Sequence, residues 1–179
     1  MKNQGFSLIE ILVSVAIFSV VMITAAGALL TTIDANHKAQ MLQTVINNLN
    51  FALESMSRTI RVGNTYHCGD SGSLANNQTP LDCTDGNSFF AFKRSSDSKT
   101  VYYYLSANQI FRQEDAGNAL AISAPEIVIE SLKFYVQGSE AGSQAQPLVI
   151  ITTKGYAGLT KIKTPFNLQT TLSQRLPKQ

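Results

Sequence analysis

Tryptophan is absent from this sequence of 179 residues, and cysteine and histidine occur twice each. Two cysteines exclude a small scaffold held by a dense disulfide framework. Two histidines are too few to build a zinc site without help from thiolates or carboxylates. Charge is scarce as well. Asp, Glu, Lys and Arg make up 15% of the chain, against roughly 25% in an ordinary globular domain. The net charge is +2, which argues against the broad basic surface that grips nucleic acid. No Gly-x-Ser-x-Gly, no Gly-x4-Gly-Lys-Ser/Thr and no His-Glu-x-x-His occurs, so the common signatures of acyl transfer, nucleotide binding and zinc hydrolysis are missing. No cofactor is expected. No proline precedes Pro80, and no glycine lies between Gly27 and Gly63, so few residues there would break a helix. The length suits one domain, and an apolar share of 44% excludes a disordered polymer.

What is present is concentrated at the start. From Ile11 to Ile33 no charged residue occurs in 23 positions, and 19 of the 25 residues from Phe6 to Leu30 are apolar. A helix of that length reaches roughly 37 Å, enough to cross a hydrocarbon core of about 30 Å. Ahead of it stands Met1-Lys2-Asn3-Gln4-Gly5. Lys2 and the α-amino group favour a cytoplasmic N-terminus, with everything after Ile33 outside a single-pass membrane segment. Two ordinary explanations exist. One is a cleaved secretory signal ending at Ala26-Gly27-Ala28; the other is a plain anchor. Neither explains Glu10, a carboxylate inside the apolar run, where a charge costs a few kcal/mol and marks function.

A third reading explains it. Gly5-Phe6-Ser7-Leu8-Ile9-Glu10, behind a short leader carrying Lys2 and ahead of about twenty apolar residues, resembles the prepilin motif of the type IV pilin superfamily, which includes the pseudopilins of type II secretion. The resemblance implies cleavage between Gly5 and Phe6 by a membrane-embedded prepilin peptidase and N-methylation of Phe6. Glycine leaves the backbone open to close approach, as such cleavage needs. It also implies that Glu10 serves assembly, neutralising a neighbour's N-terminal ammonium. A buried carboxylate with a cation beside it is far less unfavourable than a lone one.

Beyond the membrane segment, Leu42, Val45, Ile46, Leu49, Leu53, Met56 and Ile60 recur with helical period. Val62-Gly63-Asn64 supplies a stop, with Arg58 and Arg61 in the last turns. One helix from Phe6 to about Arg61 is therefore expected. Residues 63–87 read as a loop rich in Gly, Ser, Asn, Asp and Thr. Cys68 and Cys83 bracket it, and in an exported domain a disulfide between them is the default. Alternatives are a metal site from His67, Cys68, Cys83 and Asp85, or a calcium site from Asp82, Asp85 and Asn87; neither spacing is diagnostic. His37, beside Lys38, reads as a solvated or headgroup-contacting residue, and His67 as an ordinary surface residue. Six strands are expected: Ser88–Lys93, Thr100–Leu105 and Gln109–Gln113 as a hairpin pair, Ile127–Val136, Pro147–Lys154 and Phe166–Leu172. Tyr102, Tyr103 and Tyr104 must alternate between sheet faces.

Helix first and strands afterwards predict an α+β fold, with an antiparallel sheet laying one apolar face on the helix stripe. The organisation expected is a leader over 1–5, a transmembrane or filament-core helix over 6–33, its amphipathic continuation over 34–62, and an extracytoplasmic β-rich domain over 63–179. Met56–Arg61, Val101–Leu105, Ile129–Tyr135 and Phe166–Leu172 loosely resemble J-type minor pseudopilins and W-type minor pilins. The resemblance implies a non-enzymatic, minor filament subunit. Its partners would be prepilin peptidase, other pilin subunits, an inner-membrane assembly platform with its ATPase, and the lipid bilayer. A membrane-anchored binding module that never polymerises, and a secreted enzyme, are the competing classes.

Overall fold

The computed structural model describes residues 7–69, 79–157 and 163–175. One helix, α1 (Leu8–Arg61), is followed among these residues by nine strands: β1 (Gly63–Cys68), β2 (Cys83–Asn87), β3 (Phe89–Arg94), β4 (Thr100–Ser106), β5 (Gln109–Glu114), β6 (Leu120–Ala121), β7 (Ile127–Gln137), β8 (Leu148–Ala157) and β9 (Thr164–Ser173). The chain divides into two compact units, Met1–Gln40 and Met41–Gln179.

In the second unit α1 buries Val45, Leu49, Ala52, Leu53, Met56, Ser57 and Ile60. The helical period is as expected, but the stripe sits further round the helix. Leu42 and Ile46 stay about two-fifths exposed, while Ala52 and Ser57 turn inward. Small side chains suit the closest approach to a sheet. The Ser57 hydroxyl donates to Leu53 C=O at 2.6 Å, which removes the cost of burying it. The helix ends where Gly63 begins β1. Its last turn is closed from outside: the Tyr66 hydroxyl donates to Ile60 C=O at 2.6 Å, and Arg175 N–H donates to Arg61 C=O at 2.8 Å. These bonds satisfy carbonyls that a helix terminus leaves orphaned.

The strands form two antiparallel sheets rather than the one expected, in the orders β1-β3-β4-β5-β6 and β2-β7-β8-β9. Both contribute an apolar face to the core that holds the α1 stripe. Phe90, Phe92 and Tyr103 come from the first sheet, and Leu132, Phe134 and Ile151 from the second. The tyrosines alternate as the strand period demands. Tyr103 lies in this core and shares a 3.1 Å hydrogen bond with Thr59 of α1. Tyr102 and Tyr104 join Phe89 and Ala91 on the opposite face. The predicted β4–β5 hairpin is present. Its two-residue turn, Ala107-Asn108, has φ of 45° and 61°, the left-handed pair that matches strand twist. Between β7 and β8 the register shifts at Glu130. Gly155 lies at this shift because a Cβ there would stand 2.1 Å from Val128 C=O.

Residues 63–87 are the main correction. They contain β1 and β2 as well as the turn-rich stretch, of which 70–78 lie outside the described residues. β1 is held by pairing with β3, and β2 by pairing with β7. Neither has the unbroken β-branched or aromatic run that announces a strand. β6, two residues long, was equally silent. His67 is also corrected: it is buried, with Nδ1 2.9 Å from Thr79 C=O.

Candidate functional site

The first unit presents α1 from Leu8 to Gln40. Its most apolar 18-residue window has a mean hydropathy of 2.5, and none of that window is buried within the chain. Leu8 is 78% exposed, Phe18 60% and Ile23 73%. An apolar surface this continuous needs lipid or another protein against it. The polar side chains within it are internally satisfied. Ser14 donates to Glu10 C=O at 2.7 Å, Ser19 to Val15 C=O at 2.8 Å and Thr24 to Val21 C=O at 2.9 Å. Such bonds let hydroxyls enter hydrocarbon without an unmet donor. Gly27 has nothing within 4 Å of a Cβ built on it, so no packing within the chain requires glycine there.

At the start of the helix, Ser7 is the N-cap. Glu10 N–H donates to Ser7 Oγ at 3.4 Å, and Ser7 N–H donates to Glu10 Oε2 at 3.4 Å. This reciprocal pair is a capping box, with serine at the N-cap and glutamate three residues on. The carboxylate also lies at the positive end of the helix dipole. Glu10 thus has a local structural role that the sequence reading did not assign to it, although Ser-x-x-Glu is its known signature. Gly5 and Phe6, the expected cleavage pair, lie outside the described residues.

In the second unit Cys68 and Cys83 form a disulfide, with Cα atoms 5.6 Å apart. Cys68 ends β1 and Cys83 begins β2, so the bond joins the edges of the two sheets. Asp82 beside it is fully engaged. Its Oδ2 accepts from Gly138 N–H at 2.7 Å and its Oδ1 from Ser139 N–H at 2.8 Å. Among the described residues no three His, Cys, Asp or Glu side chains gather as metal ligands. The densest charge cluster is at the tips of β3 and β5. Arg94 bonds Asp97 at 2.7 Å and Glu114 at 2.9 Å, and Arg112 also reaches Glu114. Hydrogen bonding to Arg94 holds Asp97 down to about 2 and keeps Glu114 below the usual carboxylate range. These groups are tied to one another in ion pairs, a structural arrangement.

Residues 1–26 match the family described as the prokaryotic N-terminal methylation motif. No curated protein and no solved structure matches the chain. The chain thus joins an N-terminal methylation motif, characteristic of type IV pilins and pseudopilins, to an exposed apolar helical segment and an α+β, pilin-like fold.

Proposed function

We propose that this protein is a minor structural subunit of a type IV pilus-like filament or type II secretion pseudopilus. Prepilin peptidase cuts between Gly5 and Phe6, and Phe6 is N-methylated. The apolar half of α1 stores the subunit in the cytoplasmic membrane, with the β-rich domain outside. Assembly then exchanges lipid contacts for packing against other subunits, driven by an ATPase acting through an inner-membrane platform. The motif supports a structural rather than an enzymatic role. The observation that carries the reading is the methylation motif over residues 1–26, which runs into an apolar helical segment that is not buried within the described chain.

Glu10 is the assembly residue in this reading. Its carboxylate exchanges, or shares, its bond to Ser7 N–H with the ammonium of a neighbour's processed Phe6. Charge and capping can be separated. Gln is accepted at the third position of a capping box, so Glu10→Gln keeps the helix start and removes the charge. Both Glu10→Gln and Glu10→Ala should be cleaved after Gly5, because the scissile backbone is untouched. Both should be depleted from sheared filaments relative to the membrane pool. Wild-type incorporation of both variants would refute the docking role of Glu10.

A further inference from the structure

β9 ends the second sheet, and among the described residues it pairs with β8 alone. All ten of its residues pair with β8 without a register shift. Gln174 N–H donates to Pro147 C=O just beyond the last pair. Antiparallel alternation then turns the N–H and C=O groups of Asn167, Gln169 and Thr171 away from β8. Pro165 falls in the same outward series, the place where an edge strand tolerates a missing N–H. β9 carries no charged side chain from Thr164 to Ser173. Exposed edges are ordinarily blunted by charge, bulges or shortness. The other three sheet edges follow that rule. β1 and β2 have register shifts, and β6 is two residues long.

A groove of about 520 Å³ lies against this edge, lined by α1 residues Asn50, Phe51, Glu54 and Ser57 and by Leu168, Gln169 and Thr170 of β9. Consecutive strand residues point to opposite faces. A groove touching three in a row therefore runs along the backbone edge, not over one face. Phe51, 77% exposed, stands in its wall. The groove's charge is confined to Glu54, which pairs with Arg58 at 2.8 Å.

We propose that β9 and the adjoining face of α1 receive an extended, uncharged segment of a different pilin-like subunit, added as a further strand. The inference rests on the filament reading above. A strand edge is completed by another strand, and its side-chain neutrality favours a neutral one. Among the described residues, the one unblunted edge that a second copy of this chain offers is its own β9. That pairing closes a two-copy unit, whereas filament growth needs a surface that meets a different one. α1 forms the other wall, so the site lies on the same helix whose apolar half requires neighbours.

The test uses the full chain in cells that assemble the filament, with a benzophenone amino acid in place of Gln169. The expected product is a cross-link to an extended segment of another subunit carrying the methylation motif, mapped by peptide mass spectrometry. Gln169→Pro removes one outward N–H, and Gln169→Lys adds a charge while keeping the backbone. Each should lower filament incorporation by roughly fivefold or more at an unchanged membrane level. A cross-link to a second copy would overturn the assignment. So would wild-type protein in filaments with no cross-link and no loss in either variant, leaving the filament reading intact. Failure of wild-type protein to enter filaments would overturn that reading, and this proposal with it.

Discussion

Leu49 and Leu42 lie two turns apart on α1 and look alike in sequence, yet Leu49 is fully buried and Leu42 is 40% exposed. The difference fixes the cost of losing each. Leu49→Ala leaves a cavity between the helix and the sheets and should cost about 2–5 kcal/mol, whereas Leu42→Ala should cost under about 1 kcal/mol. Denaturant unfolding of the detergent-solubilised chain would show the contrast. Periodicity identified the stripe because heptad-like spacing of large apolar residues needs no knowledge of the partner. It misplaced the edges of the stripe because burial of Ala52 and Ser57 depends on how closely a sheet approaches. His67 was misjudged for a related reason: its polar neighbours in sequence concealed the Thr79 carbonyl that its ring meets in space.

Among elements, α1 and six of the strands were legible, and β1, β2 and β6 were not. β7 and β8 carry runs of Ile, Val, Phe and Tyr, which fit a pleated surface wherever they are placed. β1, β2 and β6 exist because a neighbour pairs with them. The β4–β5 turn contains a cost that the sequence conceals. Ala107 is held at φ 45°, a region where a Cβ is disfavoured by about 1–2 kcal/mol. Ala107→Gly should therefore be neutral to stabilising, by up to about 1 kcal/mol, after the added entropy of the unfolded chain. Thermal unfolding would register it. The charge cluster at the opposite end of the same hairpin gives a pH signature. Asp97 and Glu114 have folded pKa values below their ordinary 3.8 and 4.5. Their contribution to stability is thus complete above those ordinary values. It is lost as pH falls through the depressed folded values, from about 4.5 toward 2. Exposure keeps the effect small. The acid-induced loss of stability in that window should shrink in Glu114→Gln, measured by unfolding at pH 6 and pH 3.

For the whole molecule, one covalent bond and one motif matter most. The disulfide joins edges of both sheets across a separation of 15 residues. A loop of that size gives about 3 kcal/mol in the chain-entropy model. The Cys68→Ser, Cys83→Ser double variant should lose stability of that order, and hydrogen exchange should accelerate most in β2. The bond was foreseen from context, whereas its role in coupling two sheets was not, because no residue pattern announces how strands divide between sheets. The central claim is that the N-terminus is a prepilin leader, and intact-mass analysis of the protein extracted from membranes tests it most directly. The account predicts a chain of 174 residues beginning at Phe6 and carrying an N-methyl group. A chain retaining Met1 to Gly5, or one beginning at Leu29 as an ordinary signal peptide would leave it, would contradict the account.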